Sequence, residues 1–180
     1  MMHDWNVVVN LHEHSFQKAF KELQGFGIVN ETDFFNVLAM KVGDINRFLE
    51  NLQEWIANHP DFLTRIARIV PVTDTFTFQS PEEFEAKAKE IVLQWVPQLA
   101  GKSFHVRIHR RGFKGRLSSL DEEHFLDKIL LEALEKAGTP GRITFENPDA
   151  IAIVETLGQW AGLACWKRED LERYPWMRID

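Results

Sequence analysis

The sequence predicts an α+β fold of two domains, a ferredoxin-like domain followed by a mixed α/β domain. Two observations favour this class. Short apolar, β-branched stretches alternate with amphipathic helical stretches, and the order of these stretches changes near residue 80. A chain of 180 residues can form one domain or two small ones. With 44% hydrophobic and 27% charged residues, including fourteen Phe and six Trp, it has the composition of a globular protein with a substantial core.

Residues 1–79 predict a β-α-β-β-α-β unit. An apolar stripe marks a helix over 15–24, and Asp44 is placed to cap a second helix, which His59-Pro60 ends. Two helices and four strands in this order are the ferredoxin-like arrangement. The predicted strands are 5–11, 26–30, 34–41 and 63–72, and 75–78 either extends the last of them or forms a short edge piece.

Residues 80–180 predict a second domain with the order α-β-α-β-β-β. Ser80-Pro81-Glu82-Glu83 combines an N-cap, a proline at the first helical position and a capping-box acid, so we place the boundary at Gln79/Ser80. A second S-x-x-E signature, at Ser119, opens another helix, which Gly138 ends. The expected buried face of that helix is Phe125, Ile129, Leu130, Ala133, Leu134 and Ala137. The strands are expected at about 104–109, 142–145, 151–156 and 160–166.

The charge of the chain is unevenly distributed. Its net charge of −6 argues weakly against a nucleic-acid partner, but residues 1–100 carry all of it, with eight cationic and fourteen acidic residues. Residues 101–180 hold thirteen of each sign, and their cations are concentrated at the front. Local potential decides whether a polyanion docks. The stretch 101–116 contains no acid and six cations: Lys102, Arg107, Arg110, Arg111, Lys114 and Arg116.

The first half of this basic stretch alternates in character. Its apolar row is Phe104, Val106 and Ile108, and its polar row is His105, Arg107 and His109. Period-two alternation is typical of a half-buried strand, so we expect the polar row to face outward. Gly112 and Gly115 then predict a mobile basic loop or hairpin. A cationic strand that leads into a cationic loop suits phosphate contact, and the alternative is an ordinary solvated strand.

Several of these residues have two possible roles. His105 and His109 could contact phosphate or a base, or one of them could pack against a neighbouring domain. Phe113 could stack on a base or fill a gap in the core. Arg142 opens a strand that we expect to be central, and could extend the basic surface. The predicted RNA-binding set is Lys102, His105, Arg107, His109, Arg110, Arg111, Phe113, Lys114, Arg116 and Arg142.

The sequence contains no pattern typical of an active site. G-x-G-x-x-G, P-loop and G-x-S-x-G motifs do not occur, and the single Cys165 lies in an apolar context that favours a buried, unreactive thiol. His3, His12 and His14 cluster near the amino end, but we expect neither a metal site nor a cofactor. We also expect no membrane span, and a cytoplasmic location.

Residues 80–180 resemble the THUMP domain, an RNA-binding module of tRNA- and rRNA-modifying proteins. The segments that carry the resemblance are SFHVRIHRRGFKG, the helix after it, ITFENPDAIAIVET with Asn147-Pro148-Asp149 between two strands, and the closing GLACWKREDLERYPW. Residues 1–79 are similar to the ferredoxin-like domain that commonly precedes THUMP. The resemblance therefore covers nearly the whole chain.

The resemblance implies that the chain binds tRNA near the acceptor stem and 3′ end. Because the chain reaches only Asp180, leaving no room for a separate modifying domain, it is similar to the stand-alone adaptors that present tRNA to an acetyltransferase. We therefore expect an RNA-binding adaptor in tRNA modification that is not itself an enzyme, with a modifying enzyme as its partner. The alternative is a protein-interaction scaffold that acts through the ferredoxin-like domain.

Overall fold

The computed structural model describes residues 4–179, and the chain divides into two compact units. The first unit holds the residues up to Val72 together with Leu171–Ile179, and the second holds Thr73–Asp170. The predicted boundary at Gln79/Ser80 therefore differs from the observed junction. The strand that starts at Asp74 pairs with a strand of the second unit, which assigns it to that unit.

The C-terminal residues also belong to a different unit from the one that the sequence predicts. Leu171–Ile179 was expected in the second domain, but it belongs to the first unit. Trp176 is buried, and its indole Nε1 donates to Gln53 Oε1 at 2.7 Å. Gln53 Nε2 in turn donates to the Arg173 carbonyl at 2.9 Å, so this tail completes the first unit.

The first unit has the ferredoxin-like topology that the sequence predicts. Its sheet is antiparallel, with the strand order β2-β3-β1-β4, and β1 in its interior contributes three fully buried valines. Asp44 caps α2 as expected, accepting from the Arg47 N–H at 2.8 Å. The elements are β1 (Val7–Leu11), α1 (Phe16–Leu23), β2 (Ile28–Glu31), β3 (Val37–Lys41), α2 (Ile45–Asn58) and β4 (Ile66–Pro71), with 3-10 turns at Pro60–Thr64 and Pro175–Met177.

The second unit is a mixed α/β unit, as the sequence predicts. Its sheet has the order β5-β9-β8-β6-β7, in which β6 runs parallel to both of its neighbours and the other pairs are antiparallel. Helices α3 and α5 pack on one face of this sheet. The elements are β5 (Asp74–Thr77), α3 (Pro81–Val92), α4 (Val96–Leu99), β6 (Ser103–His109), α5 (Ser119–Lys136), β7 (Arg142–Ile143), β8 (Ala150–Leu157) and β9 (Trp160–Lys167), followed by α6 (Arg168–Arg173), with a 3-10 turn at Leu93–Trp95.

The buried face of α5 is rotated from the predicted one. Of the predicted face, Leu130 and Leu134 are fully buried, as expected. Phe125, Ile129 and Ala133 are half-buried and Ala137 is exposed, whereas Leu126, which was not predicted, is fully buried. The N-cap is Ser118 rather than Ser119, since the Ser118 hydroxyl accepts from the Asp121 N–H at 3.2 Å.

The rotation brings two acidic side chains of α5 to the backbone of β6. β7 pairs with β6 only at Ser103 and Phe104, so the next N–H groups on that side of β6 have no strand partner. Asp127 Oδ1 accepts from the Val106 N–H at 3.0 Å, and Glu123 Oε2 accepts from the Ile108 N–H at 2.8 Å. The helix therefore satisfies an otherwise open strand edge.

We expect Asp127→Ala to destabilise the protein, because it leaves the buried Val106 N–H without an acceptor, at a cost of about 1–3 kcal/mol. Asp127→Asn keeps an acceptor oxygen and should lose less. Urea unfolding at neutral pH, followed by circular dichroism, compares the two variants, with Lys128→Ala at an exposed neighbouring position as control. Wild-type stability in Asp127→Ala would contradict this role.

Candidate nucleic-acid interface

The alternation along β6 is present, but only part of its polar row faces solvent. Phe104, Val106 and Ile108 are buried in the core with α3 and α5, and Arg107 is exposed. His105 is only 4% exposed, so its predicted outward position is wrong. It lies in register with Ile151 of β8, which is also buried, and this face of the sheet is therefore covered at His105.

His109 and Arg111 are bound to a carboxylate inside the protein. Glu155 of β8 is fully buried, with His109 Nδ1 2.9 Å from its Oε1 and Arg111 NH1 2.5 Å from its Oε2. Burial alone would raise the pKa of Glu155, but the hydrogen bond with His109 and the charge of Arg111 outweigh it and lower that pKa. These two side chains hold the sheet together, and neither is a primary candidate for RNA contact.

The segment after β6 is a loop and not a hairpin, and its first residues are hydrogen-bonded to the end of β8. The Arg111 N–H donates to Thr156 Oγ1 at 2.8 Å, and the Arg111 carbonyl accepts from the Gly158 N–H at 2.8 Å. Gly112 and Gly115 have φ values of 89° and 76°, and through them the chain turns into α5. We call residues 110–116 the basic loop.

Phe113 anchors the basic loop to the core. Its ring centroid lies 4.9 Å from that of Phe78, and the Arg116 guanidinium lies 4.4 Å above its ring. A φ of 53° is unfavourable for a bulky side chain, and the packing of the ring offsets that cost. Of its two predicted roles, the structure therefore places Phe113 in the core-filling one.

The remaining cations of β6 and the basic loop form no ion pair within residues 4–179. They are Arg107, Arg110, Lys114 and Arg116. Arg110 donates to the Gly112 carbonyl and Arg116 to the Gln79 carbonyl, the latter at 3.3 Å. Carbonyl partners orient these guanidinium groups but leave their charge uncompensated.

Arg110 and Arg116 line a cavity of about 540 Å³ at the start of α5, which we call the α5 cavity. Gly115, Leu117 and Pro81 contribute to its wall, as do the first residues of the helix. The N-terminus of an 18-residue helix carries partial positive charge, which favours an anion at this position. Two acids, Asp121 and Glu122, also line the cavity.

Lys102 and Arg142 lie at the opposite end of β6 from the basic loop. Seven residues of strand span roughly 20 Å, so the predicted surface is divided into two clusters. Arg142 is exposed on β7, which is an edge strand and not the central one that we expected. Lys102 lines a second cavity of about 270 Å³ together with Lys167.

Asp149 of the Asn147-Pro148-Asp149 turn has a structural role. Its Oδ2 accepts from the Ser103 N–H at 2.9 Å, its own N–H donates to Ser103 Oγ at 2.9 Å, and Arg168 lies 3.0 Å from its Oδ1. The hydrogen bond from the Ser103 backbone is the main cause of its lowered pKa. The turn therefore ties the starts of β6 and β8 together.

Glu122 was missed by the sequence analysis because the phase of α5 was misjudged. It is only 5% exposed, and its Oε2 receives no hydrogen bond from any N–H or hydroxyl group within residues 4–179. Burial, followed by the hydrogen bond and charge of Glu85, raises the pKa of Glu122 from 4.5 to about 8. With Ser118 as N-cap, Glu122 falls in the fourth helical position, which faces the core.

Residues 4–179 contain no cluster of three His, Cys, Asp or Glu side chains suited to a metal ion, and His3 lies outside these residues. Burial raises the pKa of Cys165 to about 11, so its thiol stays protonated at neutral pH. No helix within the described range has the length and apolar character needed to cross a bilayer.

No protein-family model matches the sequence, and no curated protein matches it. The fold does match solved structures. PH1313 from Pyrococcus horikoshii has a TM-score of 0.60 at 13% identity over 91% of this chain and 55% of its own. TrmN from Thermus thermophilus has a TM-score of 0.61 at 17% identity over 90% of this chain and 45% of its own.

A 4-thiouridine synthetase, solved in complex with RNA and ATP, has a TM-score of 0.52 at 14% identity over 91% of this chain and 42% of its own. This chain thus spans about half the length of the structures it matches. At such low identity the likeness concerns the fold alone, and it supports the THUMP-like fold that the sequence resemblance implied.

The prediction that this chain is not an enzyme is contradicted by these comparisons. Besides TrmN, further neighbours are described as methylases or as a methyltransferase complexed with SAH. The fold therefore occurs in proteins described as enzymes and gives no ground for excluding catalysis. We withdraw the prediction of a non-catalytic chain.

We expect Glu122→Gln to stabilise the protein increasingly as pH rises from about 5 to about 9. The folded state of the wild type holds the Glu122 proton up to pH about 8, whereas the unfolded chain releases it near 4.5, so raising the pH favours unfolding. The gain above pH 8 should be on the order of a few kcal/mol. Thermal unfolding across this range measures it, with Glu132→Gln at an exposed position of α5 as control. A stability difference that does not change with pH would contradict the protonated state of Glu122.

Proposed function

We propose that this chain binds structured RNA, most favourably tRNA, as the RNA-binding part of an RNA-modification protein. The observation that carries this proposal is a group of cations that form no ion pair within residues 4–179: Arg107 on the exposed face of β6, and Arg110, Lys114 and Arg116 in the basic loop that leads into α5. The fold supports it, since one structural neighbour is a 4-thiouridine synthetase in complex with RNA. A cytoplasmic location, contact at the acceptor stem and 3′ end, and a partner enzyme remain parts of this proposal.

The ten predicted site residues take different roles in this proposal. Arg107, Arg110, Lys114 and Arg116 contact phosphate directly. His109, Arg111 and Phe113 position the basic loop from inside, and His105 packs within the sheet. Lys102 and Arg142 form a second phosphate contact roughly 20 Å away, on the same RNA.

A protein-interaction scaffold is the second candidate, and it rests on exposed apolar side chains of the first unit. Ile28 at the start of β2 is 63% exposed, and Phe35 in the turn before β3 is 83% exposed. A contiguous apolar patch at the surface often marks a protein contact, and this candidate requires Ile28 and Phe35 to belong to one. A gel shift against total tRNA at about 150 mM salt separates the two candidates, because a scaffold alone leaves the RNA unshifted.

We expect the triple variant Arg110→Gln, Lys114→Gln, Arg116→Gln to lose most of its affinity for tRNA. Each phosphate contact contributes about 0.7–0.9 to the slope of log K against log salt, so the slope should become shallower by about 2–3. Fluorescence anisotropy with labelled tRNA over a series of salt concentrations measures both the affinity and the slope.

The matched control is Lys89→Gln, Lys128→Gln, Lys136→Gln, which removes the same charge from exposed positions of α3 and α5 that do not line the α5 cavity. Its slope should stay within about 1 of the wild-type value. Equal losses in the two triple variants would mean that only the total charge matters, and would overturn the assignment of the surface.

A further inference from the structure

The first unit has a cavity of about 450 Å³ at the start of α2, which we call the α2 cavity. Its volume is within the roughly 300–1,000 Å³ range of small-molecule sites. The wall includes one aromatic, one acidic, one cationic and one amide side chain, which are Phe26, Asp44, Arg47 and Asn51. Neither the basic loop nor the α5 cavity includes any of them.

Phe26 gives the α2 cavity an aromatic wall that is held in position. Its ring makes T-shaped contacts with Phe48 and Trp55, at centroid distances of 6.3 and 5.6 Å, and the side chain is half-buried. A fixed aromatic ring at the wall of a cavity is the type of surface on which nucleobases stack. Gly43 also lines the cavity, and no atom lies within 4 Å of a Cβ added to it. Its missing side chain leaves the backbone of the wall accessible.

Two polar side chains of α2 are available to a molecule in the cavity. Arg47 and Asn51 are four residues apart on the helix, so they share one of its faces, and both are exposed. Within residues 4–179, neither side chain forms an ion pair or a hydrogen bond. A guanidinium offers donors, and a carboxamide offers both donors and an acceptor. This combination suits the edge of a planar heterocycle, which carries both kinds of group.

The charge of the first unit favours a base over a phosphate in this cavity. Asp44 lies in the wall, and residues 1–72 hold nine acidic residues against six cationic ones. This field repels a phosphate, whereas the amino and imino groups of a base can donate to a carboxylate. A base therefore matches the acidic, amide, cationic and aromatic parts of the wall together.

We propose that the α2 cavity receives one unpaired base of the bound RNA, stacked on Phe26 and hydrogen-bonded at its edge by Arg47 and Asn51. This proposal rests on the proposed RNA-binding function, and it gives the first unit a part in that function. The phosphate contacts of the basic loop carry no sequence information. A base contact distinguishes unpaired from paired RNA, and one base from another.

Phe26→Leu and Asn51→Leu test the proposal by fluorescence anisotropy with labelled tRNA over a series of salt concentrations. The first variant keeps an apolar side chain without the flat ring, and the second removes a base contact from an exposed position. Each should weaken tRNA binding by about five- to tenfold at every salt concentration, because stacking or base hydrogen bonds are lost. The slope of log K against log salt should stay within about 0.5 of the wild-type value, since no phosphate contact is removed.

The matched controls are Phe35→Leu and Asn46→Leu, which change the same residue types at exposed positions that do not line the α2 cavity. Both should bind tRNA as the wild type does. A blunt, fully paired RNA duplex is the second control, and the wild type and both cavity variants should bind it equally because it has no unpaired base. Circular dichroism verifies folding, and Asn51→Leu alone decides the test if Phe26→Leu does not fold.

Wild-type affinity for tRNA in Asn51→Leu would overturn the base contact while the RNA-binding proposal stands. Equal losses of affinity for tRNA and for the duplex would overturn the contact with an unpaired base. Titration with the four nucleoside 5′-monophosphates tests for a free nucleotide instead. Monophosphate binding that Asn51→Leu abolishes, without a loss of tRNA affinity, would also overturn the proposal. If the wild type binds neither RNA, both the base contact and the proposed function fail.

Discussion

The second unit depends on a fully buried carboxylate, Glu155, in the middle of its sheet. A buried charge without partners would cost several kcal/mol, so the chain that leaves β6 must bring cations back to it. His109 and Arg111 do so, and the backbone of Arg111 is tied to Thr156 and Gly158 at the same place. This interaction fixes the point at which the basic loop leaves the sheet.

The same interaction explains why some cations of the stretch 101–116 stabilise the fold while others remain at the surface. His109 and Arg111 point to Glu155, and Phe113 packs on Phe78, so the loop has two anchors in the core. Arg110, Lys114 and Arg116, which lie between and beyond these anchors, form no ion pair in the described part of the chain, and Arg110 and Arg116 line the cavity at the start of α5. Internal neutralisation of some cations thus makes the others available in a defined position, which favours binding of a polyanion by preorganisation.

The fold class could be predicted from the sequence, and the finer placement of the site could not. Local signals such as the Asp44 cap and the alternation in β6 gave the elements and their order. Whether His105 is buried depends on neighbours that are distant in the sequence, such as Phe145, whose ring centroid lies 5.2 Å from that of His105. A single Glu in the apolar strand 151–156 could have indicated that cations elsewhere were needed to neutralise it. The predicted orientation of α5 depended on which of two adjacent serines was taken as its N-cap. Because Ser119 was taken, the burial of Glu122 was not predicted.

The most direct test of the central claim is hydrogen–deuterium exchange with and without saturating tRNA. The basic loop and first turn of α5 should exchange more slowly in the complex, because the proposed phosphate contacts cover their N–H groups. The segments around Ile28 and Phe35 should be unchanged. Protection confined to the first unit, with residues 110–120 exchanging as in the free protein, would contradict the assignment of RNA binding to the basic loop.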